Sequence, residues 1–134
     1  MGNSLTQMVG TGTSPVMAAA ISGSLQTGQT ALGTTQGTAF AIFNNYTHFS
    51  TAALNTGAVL PPVSATAGLA AQQGDEFEVY NNGANPLAVY PPLGGAIGTI
   101  AVNTALAVPA GKGAKFTLLT ITGTVALYGA ILSA

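Results

Sequence analysis

Side chains that could carry out chemistry are few in this chain of 134 residues. It contains 2 Lys or Arg, 3 Asp or Glu and 1 His. These residues are Asp75, Glu76, Glu78, Lys112, Lys115 and His48. Acid–base catalysis and nucleophilic attack both need such groups held beside one another. The small supply predicts that the chain is not an enzyme and has no catalytic residues.

The histidine lies in the segment Tyr46-Thr47-His48-Phe49-Ser50. In a strand, the period of two would put His48 on the same face as Tyr46 and Ser50. A Ser-His-Asp arrangement would need His48, Asp75 and a serine, but no serine lies in the Gly-x-Ser-x-Gly pattern of a nucleophile elbow. We therefore expect His48 to be a surface or hydrogen-bonded residue.

Cation and cofactor motifs are incomplete. The carboxylates at 75, 76 and 78 are the oxygen donors that Ca²⁺ prefers, yet their spacing is not that of an EF-hand loop. Gly111-Lys112-Gly113 lacks the Ser or Thr that follows the lysine of a phosphate-binding loop, and Gly10-Thr11-Gly12 lacks the third glycine of a dinucleotide fingerprint. We expect neither a metal nor a cofactor.

Charge is unusually scarce, because only 4% of the residues are charged against about 25% in a typical protein. Residues 1–74 carry no formally charged side chain, and the net charge is -1. Interfaces are depleted of charge because desolvating it is costly, so the composition favours a surface covered by other subunits. The alternative is a surface hydrated by Thr, Ser, Asn and Gln. Two lysines cannot neutralise enough phosphates for nucleic-acid binding.

The two ends of the chain bear on secretion and membranes. Residues 1–14 contain no Lys or Arg, so we do not expect a secretory signal. The uncharged run Phe116–Ala134 approaches the length of a membrane span, but Thr and Gly residues interrupt it. Two β-strands around Gly123 explain this run better, and no membrane partner is predicted.

The chain divides into an N-terminal arm, residues 1–30, and a β-domain, residues 31–134. The arm is rich in Gly, Thr, Ser and Gln and has one apolar patch. Arms of this kind often become ordered on a neighbouring subunit. The candidate contact residues in the patch are Pro15, Val16, Met17 and Ile21.

From Phe40 onward, short β-prone runs alternate with turn residues, which predicts an all-β fold. In Glu76–Tyr80, the acidic residues and Tyr80 would share one face and Phe77 and Val79 the other. The turn residues Asn81–Pro86 predict a hairpin between the strands on either side. The expected architecture is a small antiparallel β-sandwich, jelly-roll-like, or a barrel. The predicted strands are Ala39–Phe43, Thr47–Ala53, Glu76–Asn81, Pro86–Tyr90, Ala96–Val102, Ala105–Val108, Ala114–Thr120 and Thr124–Ala130.

Four sequence motifs, taken in their order along the chain, form a recognisable pattern. They are Gly33-Thr34-Thr35-Gln36-Gly37-Thr38-Ala39-Phe40-Ala41-Ile42, Leu60-Pro61-Pro62, the segment from Gly74 to Pro92 that contains Asn-Pro-Leu-Ala-Val-Tyr-Pro, and Pro109-Ala110-Gly111-Lys112-Gly113-Ala114-Lys115-Phe116. This order resembles a small β-module common among tailed-phage virion proteins. The resemblance covers about residues 30–120. Residues 1–30 and the terminal Ile131-Leu132 depart from the pattern.

The resemblance implies a non-enzymatic module of the kind found in head decoration (cement) proteins. On this hypothesis the chain is a homotrimer on the exterior of a phage head, where it bridges subunits of the major capsid protein. A phage tail, fibre or spike subunit is the alternative. A carbohydrate-binding β-sandwich is a second alternative, with Tyr46, Phe49, Tyr80 and Tyr90 as its stacking platform.

Overall fold

A computed structural model describes residues 25–63, 71–122 and 125–133. Within these ranges the chain forms ten strands and one short 3-10 turn, Gln36–Thr38. The proposed contact residues Pro15, Val16, Met17 and Ile21 lie outside the described residues. The strands are β1 (Leu25–Thr30), β2 (Phe40–Ala41), β3 (Tyr46–Thr51), β4 (Gly57–Val59), β5 (Glu76–Asn81), β6 (Leu87–Tyr90), β7 (Ala96–Ile97), β8 (Leu106–Val108), β9 (Lys112–Thr122) and β10 (Val125–Leu132).

The strands form two mixed sheets, which we call the large and the small sheet. The large sheet has the order β1-β3-β5-β9-β10-β7, and the small sheet has the order β2-β4-β6-β8. From β1 to β6 the chain alternates between the sheets, so that each strand pairs in parallel with the strand two places further along. The crossover that a parallel pair requires is therefore a strand of the opposite sheet.

The all-β prediction is confirmed, but antiparallel pairing throughout is wrong. Strands β8 and β9 pair in antiparallel fashion with β6 and β5, and β10 pairs in antiparallel fashion with β9. The predicted pair of strands around Gly123 is thus confirmed as β9 and β10. No helix in the described ranges is long and apolar enough to cross a membrane.

The predicted hairpin at Asn81–Pro86 is also wrong, because β5 and β6 belong to different sheets. The Asn81 side chain is fully buried; its Nδ2 donates to the carbonyl oxygens of Asn85 (2.8 Å) and Val108 (3.0 Å). Its Oδ1 accepts from the Gly83 amide at 3.0 Å. Asn85 Nδ2 in turn donates to Ala52 O at 2.9 Å. These bonds tie the turn to the end of β8 and to the residue that follows β3.

One hydrophobic core fills the space between the sheets. The large sheet contributes Phe49, Phe116 and Tyr128, and the small sheet contributes Leu87 and Val89, all fully buried. The predicted alternation in β5 is confirmed, since its residues are exposed and buried in turn as far as Val79. The side chains on the outer face of the large sheet therefore contact solvent. They include the charged residues Glu76 and Glu78.

Candidate functional site

All charged side chains of the chain lie in or next to β5 and β9, at the centre of the large sheet. Lys115 Nζ lies 2.9 Å from Glu76 Oε2, and the two side chains are 42% and 52% exposed. The hydrogen bond and the charge of Glu76 raise the pKa of Lys115, and Glu78 adds a smaller effect. An ion pair this exposed contributes little to stability.

Asp75 has a local structural role. Its Oδ2 accepts from the Gln72 amide at 2.8 Å, and its carbonyl accepts from the Leu118 amide at 2.9 Å. Glu76 faces Lys115 instead, so the acidic residues do not converge. Among the described residues, no three His, Cys, Asp or Glu side chains come close enough together to hold a metal ion.

The structure does not bring His48 and Asp75 together. His48 is half-exposed on β3, in register with Tyr80 of β5, and the two rings stack with centroids 5.7 Å apart and planes 4° apart. Asp75 precedes Tyr80 by five residues, which is about 16 Å along an extended strand. The side chains that a Ser-His-Asp arrangement would use are therefore separated.

Two rows of side chains cross the outer face of the large sheet. The strand registers place His48, Tyr80 and Gly113 in one row, which the backbone bond from Ser133 N to Gly113 O (2.8 Å) extends to Ser133. The registers place Tyr46, Glu78, Lys115 and Ile131 in the other row. Apart from His48, the residues of both rows line a depression of about 280 Å³, which we call the sheet groove.

The predicted platform of four aromatic residues is not assembled. Tyr46 and Tyr80 both line the sheet groove, but Phe49 is fully buried in the core. Tyr90 lies in the small sheet, where its hydroxyl donates to Thr34 O at 3.4 Å. The ring that accompanies Tyr80 is His48, which sequence reasoning placed on the face of Tyr46 without assigning it to the platform.

The end of the β9–β10 pair that lies away from the sheet groove exposes apolar side chains instead of charged ones. We call residues 119–122 and 125–127 the hairpin tip. Leu119, Ile121 and Val125 are 45%, 37% and 46% exposed there, and the tip contains no charged residue. Sequence reasoning did not single out this surface, although the alternating apolar residues of the uncharged C-terminal run were a signal for it.

Further large apolar side chains are exposed around the rest of the described surface. One depression of about 270 Å³ lies beside the small sheet, between the 3-10 turn and the Pro91-Pro92 segment, with Leu93 at its rim. Leu93 is 81% exposed. The other exposed residues of this kind are Leu25, Leu32, Phe43, Leu54, Val102, Ile131 and Leu132. No protein-family model matches the chain, and no curated protein or solved structure is significantly similar to it.

Proposed function

We propose that this chain is a head decoration protein of a tailed phage, a non-enzymatic subunit on the exterior of the head that stabilises the shell by bridging neighbouring copies of the major capsid protein. The proposal rests on the motif resemblance and on one structural observation. Large apolar side chains are exposed around the described surface, while all charged side chains are confined to the centre of one sheet.

The physical argument concerns desolvation. Covering an uncharged surface removes apolar area from water, which is favourable by about 25 cal/mol per Å², without the cost of desolvating ions. Several modest contacts of this kind on a symmetric shell reinforce one another through multivalency. The hairpin tip and the rim around Leu93 are the described surfaces that best meet this requirement.

We also propose that the chain forms a homotrimer and that the N-terminal arm contributes contacts through Pro15, Val16, Met17 and Ile21. A closed symmetric oligomer presents identical patches to identical partners, which suits attachment to a shell. The jelly-roll-like or barrel form expected from the sequence stays a prediction, as does the division at residue 30. Residues 25–30 form an edge strand of the large sheet, so an arm that ends before β1 would leave this sheet intact.

Quantitative mass spectrometry of purified particles of the phage that encodes this chain tests the location. A copy number comparable to that of the major capsid protein supports decoration of the head. A copy number far below it supports the tail, fibre or spike alternative, and absence from particles contradicts both.

Two measurements test the assembly. Sedimentation of the purified chain at micromolar concentration should give a trimer, and a monomer would contradict the proposed oligomer. Deleting residues 2–24 spares β1 and should lower the occupancy of particles. Unchanged occupancy would remove the arm from the proposal while leaving the other surfaces in it.

A further inference from the structure

The sheet groove contains an aromatic ring with one occupied face and one open face. His48 stacks on Tyr80 from β3, so the opposite face of the Tyr80 ring is turned towards β9. The residue of β9 in register with Tyr80 is Gly113, which has no side chain. A Cβ at Gly113 would lie 3.4 Å from Tyr80 Cδ2, in the space beside this ring. The glycine therefore keeps the second face of the ring accessible.

Polar groups line the rest of the groove together with the exposed side chains of Ile131 and Leu132. Ser133 lies beyond Gly113, where its Oγ accepts from the Gly113 amide at 2.9 Å and keeps its own proton available for donation. Glu78 is exposed in the adjacent row, next to Tyr46 in the strand register. Lys115 completes this row with its ammonium group held by Glu76. The groove thus combines one flat aromatic wall with carboxylate, hydroxyl and ammonium groups.

From this arrangement we infer that the sheet groove binds a neutral saccharide, with the apolar face of one sugar ring stacked on Tyr80 and its hydroxyl groups bound to Glu78 and Ser133. A pyranose has an apolar C–H face that matches an aromatic ring, and its rim of hydroxyl groups needs both donors and acceptors. The groove supplies both kinds of group, and its volume of about 280 Å³ lies just below the lower end of the range for small-ligand sites, about 300 Å³.

Ligands of other chemistry fit the groove less well. A nucleic-acid strand or another anion would meet the carboxylates of Glu76 and Glu78. A cation would meet Lys115, and a wholly apolar ligand would leave the carboxylate of Glu78 without a partner. The opposite charges lie side by side here, so a ligand without net charge is the one that the electrostatics favour.

The inference goes beyond the proposed decoration function, because the groove lies on a different part of the large sheet from the hairpin tip. The two can be separated by experiment. Substitutions in the groove should leave the occupancy of particles unchanged, and removing the hairpin-tip contacts should leave saccharide binding unchanged.

The test is a titration of the full chain with four neutral disaccharides, maltose, cellobiose, lactose and N,N′-diacetylchitobiose, monitored by amide chemical shifts. We expect at least one to bind with a dissociation constant in the range of about 1–10 mM, the affinity of a shallow site with one stacked ring. The largest shifts should fall on Tyr80, Gly113 and Ser133. Shifts elsewhere, or none with any of the four sugars up to about 50 mM, would overturn the inference.

Three variants identify the stacking face. Y80A should weaken binding about tenfold or more, because it removes the ring, whereas Y80F keeps the ring and should bind like the original chain. G113A places a methyl group beside the ring and should weaken binding as well. Thermal unfolding of each variant controls for the fold. Equal affinity of Y80A and the original chain would overturn the inference.

Discussion

The two halves of the β9–β10 pair are built from the same strands yet have opposite surface character. In the first half, Lys115 is in register with Glu78 of β5 and forms an ion pair with Glu76, so the outer face carries charge. In the second half, Leu119, Ile121 and Val125 are exposed in a stretch of chain that contains no charged residue. The division shows that this chain does not merely lack charge. It restricts charge to one place and leaves another place suited to desolvation.

A β-bulge separates the two halves. Leu118 pairs with Tyr128 and Thr120 pairs with Leu127, so β9 accommodates Leu119 as an extra residue. Leu118 faces the core and is fully buried, whereas Leu119 is 45% exposed and lies over Gly129 on the outer face. After the extra residue, the positions of β9 that face the core shift by one. Ile121 is therefore paired with the buried Ala126, although it is itself 37% exposed.

The largest expected effect concerns the two adjacent leucines at this bulge. L118A should lower the free energy of unfolding by about 3 kcal/mol, because it removes a fully buried side chain and leaves a cavity. L119A is the matched control and should cost about 0.5 kcal/mol, since this residue is 45% exposed on the outer face. Chemical denaturation of both variants measures the difference. Similar losses would show that the bulge does not divide the strand as described.

A charge added to each half should have unequal effects on assembly. On the proposed function, V125K should weaken binding to particles about tenfold or more, because the ammonium group would have to be desolvated in a covered surface. T117K adds the same charge in the first half, opposite Glu76 in the strand register, and should leave binding nearly unchanged. Pelleting assays with particles measure both. Equal effects would remove the hairpin tip from the proposed contacts.

The sequence predicted strand β5, at the centre of the large sheet, correctly, but it did not predict how β5 connects to the next strand. The bounds of β5 agree with the prediction at both ends, because polar and apolar residues alternate from Glu76 to Val79 and turn residues follow Asn81. The predicted hairpin after β5 failed because turn residues indicate where a chain reverses, not which sheet it enters. In the structure the buried Asn81 side chain bonds to Val108 at the end of β8, 27 residues away, a contact that no local pattern indicates.

The strands that were not predicted are those with weak local patterns. β1 is polar and contains a glycine, and its place in the sheet comes from pairing with β3. β4 is only three residues long and begins at Gly57, where a Cβ would collide with the carbonyl oxygen of Ala88 on the neighbouring strand. In both cases tertiary contacts, not intrinsic preference, determine the strand. The predicted strand Ala96–Val102 is reduced to β7, since Gly98 has a φ of 56°.

The candidate site was predictable only in part. The period of two correctly places Tyr46 and His48 on one face, and the same rule places Phe49 on the opposite face, where it is buried. Including Phe49 in an aromatic platform was therefore wrong on information that the sequence already held. The open face of Tyr80 could not be foreseen, because it depends on the register that aligns Gly113 with this ring.

The next effect in size concerns Tyr128, which pairs with Leu118 beside the bulge. Its hydroxyl is buried and donates to Pro61 O at 2.8 Å, so Y128F should cost about 1 kcal/mol at neutral pH. Burial raises the pKa of Tyr128, with a smaller contribution from Asp75. The unfolded chain loses this proton above about pH 10 while the folded chain keeps it, so stability should fall as pH rises.

Denaturation across alkaline pH tests this coupling. The slope of unfolding free energy against pH should be shallower in Y128F than in the original chain. The matched control is Y46F, which removes the hydroxyl of a half-exposed tyrosine on the outer face and measures the cost of the same substitution outside the core. Equal slopes in Y128F and the original chain would contradict the buried, protonated state of Tyr128.

The smallest effect is expected in the polar half itself, at the Lys115–Glu76 pair. K115M keeps the aliphatic part of the side chain and removes the charge, and E76Q removes the charge of the partner. Because both groups are exposed, each variant should shift the melting temperature by less than about 2 °C at low salt. A double-mutant cycle isolates the pair, and its coupling should vanish in about 1 M salt because screening acts on exposed charges. A large coupling that persists in high salt would mean that this half of the sheet is also covered, and the contrast between the two halves of the β9–β10 pair would then fail.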